Sequence, residues 1–256
     1  MSTQLKNTIF LLLSLILLSS CQSERQLVWE ENFDGNGLQD ENWNIITGDG
    51  CPNLCGWGNN ERQIYSADNH KVANGFLSIS AKKEREMYTS ARISTKGKKE
   101  FQYGKIEIRA KLPLGKGLWP AFWMLGSNID SVGWPKSGEI DILEYVGKEP
   151  EFIFTSLHTP DSHGMTINTK KAIVKGIEEG FHTYAIDWTK DRIQFLVDDQ
   201  LFYTFAPETK NEKTWPFDQP FYFIINLAIG GNFGGPEVDD SIFPQEFVID
   251  YVRVYQ

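Results

Sequence analysis

The stretch FHTYAIDWTKDRIQFLVDDQLFYTF, residues 181–205, decides the fold. Apolar and polar residues alternate with a period of two, first through Tyr184, Ile186 and Trp188, then through Ile193, Phe195 and Val197. That period belongs to a strand with one covered face. Thr189-Lys190-Asp191 and Asp198-Asp199 interrupt it with turn-forming residues, so the stretch predicts three strands joined by two turns. The pattern recurs along the chain. GFLSISAKK (75–83), ARISTKG (91–97) and YGKIEIRAKL (103–112) alternate in the same way, and FVIDYVRVYQ (247–256) closes the sequence. FYFIINLAIGG (221–231) is nearly all apolar, as for a strand covered on both faces. Helical periodicity is almost absent; only Lys170 to Glu179 is expected to form a turn or two of helix. Many short strands in ~230 residues point to an all-β sandwich of two antiparallel sheets.

The 256 residues suffice for one large domain with a full core, and neither a repeat nor an internal linker divides them. With 25 Lys and Arg against 34 Asp and Glu, the net charge of −9 argues against a nucleic-acid partner. Eight Trp, 17 Phe and 9 Tyr are many for this length, which leaves room for a groove with exposed rings beside ordinary core packing. The first 20 residues read as a secretory signal: Lys6 supplies a positive start, and Ile9 to Leu18 is an apolar run too short to span a bilayer comfortably. Leu18-Ser19-Ser20-Cys21 resembles a bacterial lipobox, which implies cleavage before Cys21 and lipid on that cysteine. Residues 21–26 would then be a short tether, and 27–256 an exported domain held to a membrane by its anchor alone. Cys51 and Cys55 lie in GCPNLCG. Export makes a bridge between them plausible and free thiols are the other reading; zinc lacks a second Cys or His pair.

GEIDILEY, Gly138 to Tyr145, carries three acids in a strand-like run. Glu139 and Asp141 share a face by the period of two, while Glu144 falls out of step. One extra residue at Ile142-Leu143, a β-bulge, would return Glu144 to the face of the other two, and bulges of this kind are frequent beside active sites. Three carboxylates on one face repel one another, so a purely structural strand would rarely carry them. Glycoside hydrolysis with retention needs such a group: one carboxylate as nucleophile, another as acid and then base. Asp141, between the two glutamates, is placed to hydrogen-bond Glu139.

SGEIDILEYVG, preceded by GLWPAFWMLG (117–126) and GWPK (133–136), resembles glycoside hydrolase family 16, and most of all its laminarinase branch. The likeness runs from LVWEENFDG (27–35) through GWGNNERQIY (56–65) and YTSARISTKG (88–97) to IDYVRVYQ (249–256). It implies a β-jelly-roll whose concave sheet holds an open cleft for a β-glucan, with Glu139 as nucleophile, Asp141 as its assistant, Glu144 as acid/base, and no catalytic cofactor. His158 matches a position beside the acids. Trp119, Trp123 and Trp134 match ring positions facing the sugar, and Asn59, Asn60, Glu61 and Arg92 match positions that bond its hydroxyls. Core packing for the tryptophans and an ion pair for Arg92 are the competing readings. Asn226 and Asn232 are weaker candidates, with loop capping as the alternative. The family pattern also implies a structural calcium held by the Asp250 carboxylate and the backbone oxygens of Glu31 and Gly75, and a monomer is expected. Tyr145 stands where laminarinases often carry methionine or histidine, which bears on substrate preference. The resemblance thus implies an endo-β-1,3-glucanase. A mixed-linkage endo-β-1,3-1,4-glucanase and a non-catalytic glucan-binding lectin are the alternatives, and the intact acids count against the lectin.

Overall fold

In the computed structural model, residues 25–256 are described. They form two large sheets that share one core, the sandwich that the alternating runs predict. The first sheet has ten strands, with the C-terminal strand Gln245–Tyr255 at its centre. Gly104–Lys111 flanks it on one side and Phe76–Glu84 on the other. The 181–205 stretch forms the three strands expected of it: His182–Trp188, Ile193–Val197 and Gln200–Phe205. Asp198 and Asp199 make the second turn with φ of 47° and 59°, the left-handed pair that a two-residue hairpin needs.

The second sheet has eight strands. It runs from Thr169–Ile173 through Phe152–His158, Glu139–Tyr145, Leu118–Gly126 and Phe221–Ile229 to Arg92–Ser94 and Asn44–Ile46. Phe221–Ile229 is buried along its whole length, as its apolar run requires. Phe221, Phe223, Ile225, Leu227 and Ile229 enter the shared core. Tyr222 and Ile224 join Leu125 in a second apolar cluster, with Trp123 packed against it. That side of the sheet is the face on which the acids lie.

The expected helical turn at Lys170 to Glu179 is not there. Thr169–Ile173 is an edge strand in register with Phe152–Ser156, and turns follow it, with Gly176 and Gly180 at φ of 79° and 80°. A ladder partner satisfies the backbone of this segment, and the two left-handed glycines stop a helix from forming. Tyr145 also has a definite place. It is 1% exposed in the core, with its hydroxyl 2.6 Å from Glu178 Oε1. It therefore faces away from the acids and acts on the site only through packing.

Candidate active site

The site is built on one irregularity. Across the Glu139–Tyr145 and Phe152–His158 pair, Asp141 sits opposite Ser156 and Glu144 opposite Phe154, three residues against two. The strand on the other side shows the same shift, with Trp123 opposite Asp141 and Phe122 opposite Leu143. The extra residue sends both Ile142 and Leu143 into the core and brings Glu139, Asp141 and Glu144 to a common face. Cross-strand rows then fix their neighbours. His158 lies opposite Glu139, and Glu144 is in line with Ala121, Asn226 and Arg92.

Each acid receives a donor. The Trp134 indole donates to Glu139 Oε2 at 2.6 Å, and the Trp119 indole donates to Glu144 Oε1 at 3.1 Å. His158 Nε2 lies 3.1 Å from Asp141 Oδ2. The Gly164 amide donates to His158 Nδ1 at 3.1 Å, so the ring proton stands on Nε2 and is given to Asp141. Ligand atoms of Glu139, Asp141 and His158 lie within 4.8 Å of one another, and Glu139 and Asp141 share a hydrogen bond.

Desolvation, reinforced by the neighbouring Asp141 charge, pushes Glu139 up to about 8. Burial raises Asp141 to about 7, against the lowering effect of its hydrogen bond with Glu139. Glu144 is pushed well above the usual carboxylate range by burial and by the charges of Asp141 and Glu139. A protonated Glu144 on the same face as Glu139 can supply an acid beside a nucleophile.

A second network continues along the face. Glu61 accepts from Gln63 at 2.6 Å, from Tyr65 at 3.1 Å and from Asn59 at 3.3 Å. Asn226 donates to the Tyr65 hydroxyl and accepts from the Trp123 indole at 2.7 Å. Asn60 donates to Asn232 at 2.8 Å. The Arg92 guanidinium lies between two indoles, 4.6 Å from Trp57 and 5.0 Å from Trp123. Arg92 Nε and Trp57 Nε1 are buried with no hydrogen-bond partner among the described residues. Such orphan donors would gain from a polyhydroxylated ligand.

The structure thus gathers Glu139, Asp141, Glu144, His158, Trp119 and Trp134 in one group, with Asn59, Glu61, Arg92, Trp123 and Asn226 in the adjoining network. Trp123 is tied into that network by its N–H, and Trp134 is 45% exposed. Trp57, Tyr65, His163 and Phe233 are members that the sequence reading passed over. Phe233 meets Trp119 at 5.3 Å and Phe154 at 4.9 Å, both edge-on, beside Glu144. Its place between the glycine pairs of GGNFGG was the available signal. Cys51 and Cys55 are disulfide-bonded, just before the Asn59–Glu61 loop. Cys21 lies outside the described residues.

The residues expected to hold calcium lie at the other sheet. Phe247 to Ile249 pair with Phe76–Glu84, and Val252 to Tyr255 pair with Leu27–Glu31. Asp250 stands where the central strand passes from one partner to the other, with Glu31 and the turn glycine Gly75 at the ends that meet there. Its Oδ2 is paired with Arg109, and its Oδ1 has no hydrogen bond among the described residues. One free carboxylate oxygen at a gap between ladders fits a hard cation. The Glu31 side chain is committed elsewhere, accepting from Phe33, Asn42 and Trp43 at 3.0–3.2 Å, so its backbone oxygen is what it could offer a cation.

A family model described as "Glycosyl hydrolases family 16" matches residues 58–252, which include every acid of the site. The chain belongs to glycosyl hydrolase family 16. A "Beta-glucanase" from Rhodothermus marinus is 42% identical, over 98% of this chain and 95% of its own. A "Glucan endo-1,3-beta-glucosidase" from Cryptopygus antarcticus is 40% identical, over 89% of this chain and 90% of its own. The crystal structure of a laminarinase from Flavobacterium sp. UMI-01 superposes with a TM-score of 0.89 at 70% identity, covering 90% of this chain and all of that one. The sandwich of this family 16 enzyme is therefore the jelly-roll of that structure.

Proposed function

We propose that the chain is an endo-acting, retaining β-glucanase that cleaves internal β-1,3-glucosidic bonds of laminarin-type glucans. The observation that carries this reading is the bulge, which puts three carboxylates with their own N–H donors on one face of a family 16 fold. The Glu139 carboxylate attacks the anomeric carbon while Glu144 gives its proton to the departing glycosidic oxygen, whose bond to that carbon breaks. Ionised Glu144 then takes a proton from water. The resulting hydroxide displaces the ester, and Glu139 is a carboxylate again. Asp141, hydrogen-bonded to Glu139 and receiving the His158 N–H, keeps the nucleophile oriented. The flat Trp119 and Trp134 rings suit the apolar C–H faces of β-glucose units, and Asn59, Asn60, Glu61 and Arg92 suit its hydroxyls. Reducing-sugar release from laminarin tests the reading. Release from mixed-linkage glucan alone, or binding without release, would replace it.

Two further readings accompany this one. A structural calcium at Asp250, with the backbone oxygens of Glu31 and Gly75, would stabilise the fold by binding only the folded state. Chelation should lower the melting temperature of the wild type and leave its rate in the cold nearly unchanged, because the acids are on the other sheet. Equal melting curves with and without chelator in wild type and Asp250→Ala would contradict it. The second reading is that the protein is exported and lipid-anchored at Cys21, and works as a monomer. Cys21→Ser should then move it out of the detergent phase; unchanged partitioning would count against the anchor.

A further inference from the structure

Trp134 presents a problem of support. Its N–H is the 2.6 Å partner of Glu139, yet the ring is 45% exposed and belongs to neither apolar cluster. Among the described residues its ring neighbours are two histidines. His158 lies at 5.9 Å, and His163 at 5.1 Å with the planes at 86°. His163 stands in the loop 159–168, whose tip is open to solvent: Met165 is 102% exposed and Ile167 87%.

The base of that loop is nevertheless closely bonded. The Thr159 amide donates to the Ser162 carbonyl at 2.8 Å, and the Ser162 amide returns the bond at 3.1 Å. Thr166 Oγ1 donates to the Leu157 carbonyl at 2.9 Å, and His163 Nδ1 lies 3.2 Å from the Thr159 carbonyl. That last bond fixes the imidazole plane. Gly164 follows at φ 66°, the left-handed conformation, and its amide turns back to His158 Nδ1.

We propose that His163 is a positioning residue that holds the Trp134 indole against Glu139, while the adjacent Gly164 amide holds His158 in the tautomer that serves Asp141. One loop outside the acidic strand then sets both N–H donors of the nucleophile pair. The inference rests on the reading of Glu139 as nucleophile. An N–H bond favours the charged carboxylate, so loosening Trp134 makes Glu139 harder to ionise. The other groups that face it are Asp141 and Glu144 on its own strand, His158 on the neighbouring strand, and Tyr222 and Arg92 farther along the sheet.

The test compares His163→Ala, His163→Phe, Trp134→Phe and the double variant His163→Ala/Trp134→Phe on laminarin. His163→Ala should lower kcat/KM about tenfold, mostly in kcat. The acidic limb of its pH profile should move up by roughly half a unit. His163→Phe, which keeps a ring edge on the indole, should recover most of both. In the Trp134→Phe background, His163→Ala should add nothing. A wild-type limb and kcat in folded His163→Ala, failure of the Phe variant to recover them, or full additivity in the double variant would overturn the proposal. Labelling wild type with 2,4-dinitrophenyl 2-deoxy-2-fluoro-β-laminaribioside separates the two readings. An ester on Glu139 sustains its role and leaves the positioning claim to the variants, whereas an ester on another carboxylate overturns both.

Discussion

Glu139→Gln is expected to abolish laminarin hydrolysis and to raise the melting temperature of the protein. The loss should be on the order of 10⁴-fold or more, because no other group is placed to form the glycosyl ester. The gain in stability follows from the same environment. Glu139 is raised from 4.5 to about 8 in the folded chain, so the folded state binds more protons than the unfolded one across that window. Stability therefore falls as pH rises from about 4.5 to about 8, and a glutamine, with no proton to lose, escapes the fall. Calorimetry should find the variant a few degrees more stable near pH 8 and indistinguishable near pH 4. A variant less stable than wild type at both values would mean that the carboxylate helps to hold the sheet together.

Glu144→Ala should behave differently with different leaving groups. On laminarin nearly all activity should go, since the departing sugar oxygen needs the proton. Aryl β-glucosides of acidic phenols leave without one, so the glycosylation step should survive on them. Azide should then restore turnover and give a β-azide, by attacking the glycosyl-enzyme from the face that water ordinarily uses. Glu139→Ala forms no such ester, so any azide product from the same aryl glycosides must come from a single displacement and be α-configured. A β-azide from Glu139→Ala and an α-azide from Glu144→Ala would exchange the two roles.

The strand pattern and the bulge were open to reading because both follow from side-chain period. Glu144 breaks the alternation of Glu139 and Asp141, and one added residue restores it, which is what the ladder shows. The edge strand Thr169–Ile173 was not legible. Its partners in the ladder lie in Phe152–Ser156, and nothing local in Thr169-Lys170-Lys171-Ala172-Ile173 announces that pairing. Tyr145 illustrates a related limit. Its standing where laminarinases often carry methionine or histidine suggested a bearing on substrate, while the pleat turns it into the core. Trp57 and Phe233 come from single helical turns, Cys55–Gly58 and Gly231–Gly234, and His163 from a loop, all too short for a period to tell which way a ring faces. Trp57 is identified by the guanidinium stacked on it, His163 by the indole beside it, and Phe233 by Trp119 and Phe154. Those contacts are tertiary, so only the fold supplies them.

The central claim is a double displacement on the Glu139–Glu144 face. Proton NMR of a laminarin digest, recorded before the new reducing ends mutarotate, tests it most directly. Two successive inversions at the anomeric carbon require β-configured ends to appear first, with the α-anomer growing in afterwards. An α-anomer as the first product would mean a single displacement by water, and would contradict the account of Glu139 as nucleophile.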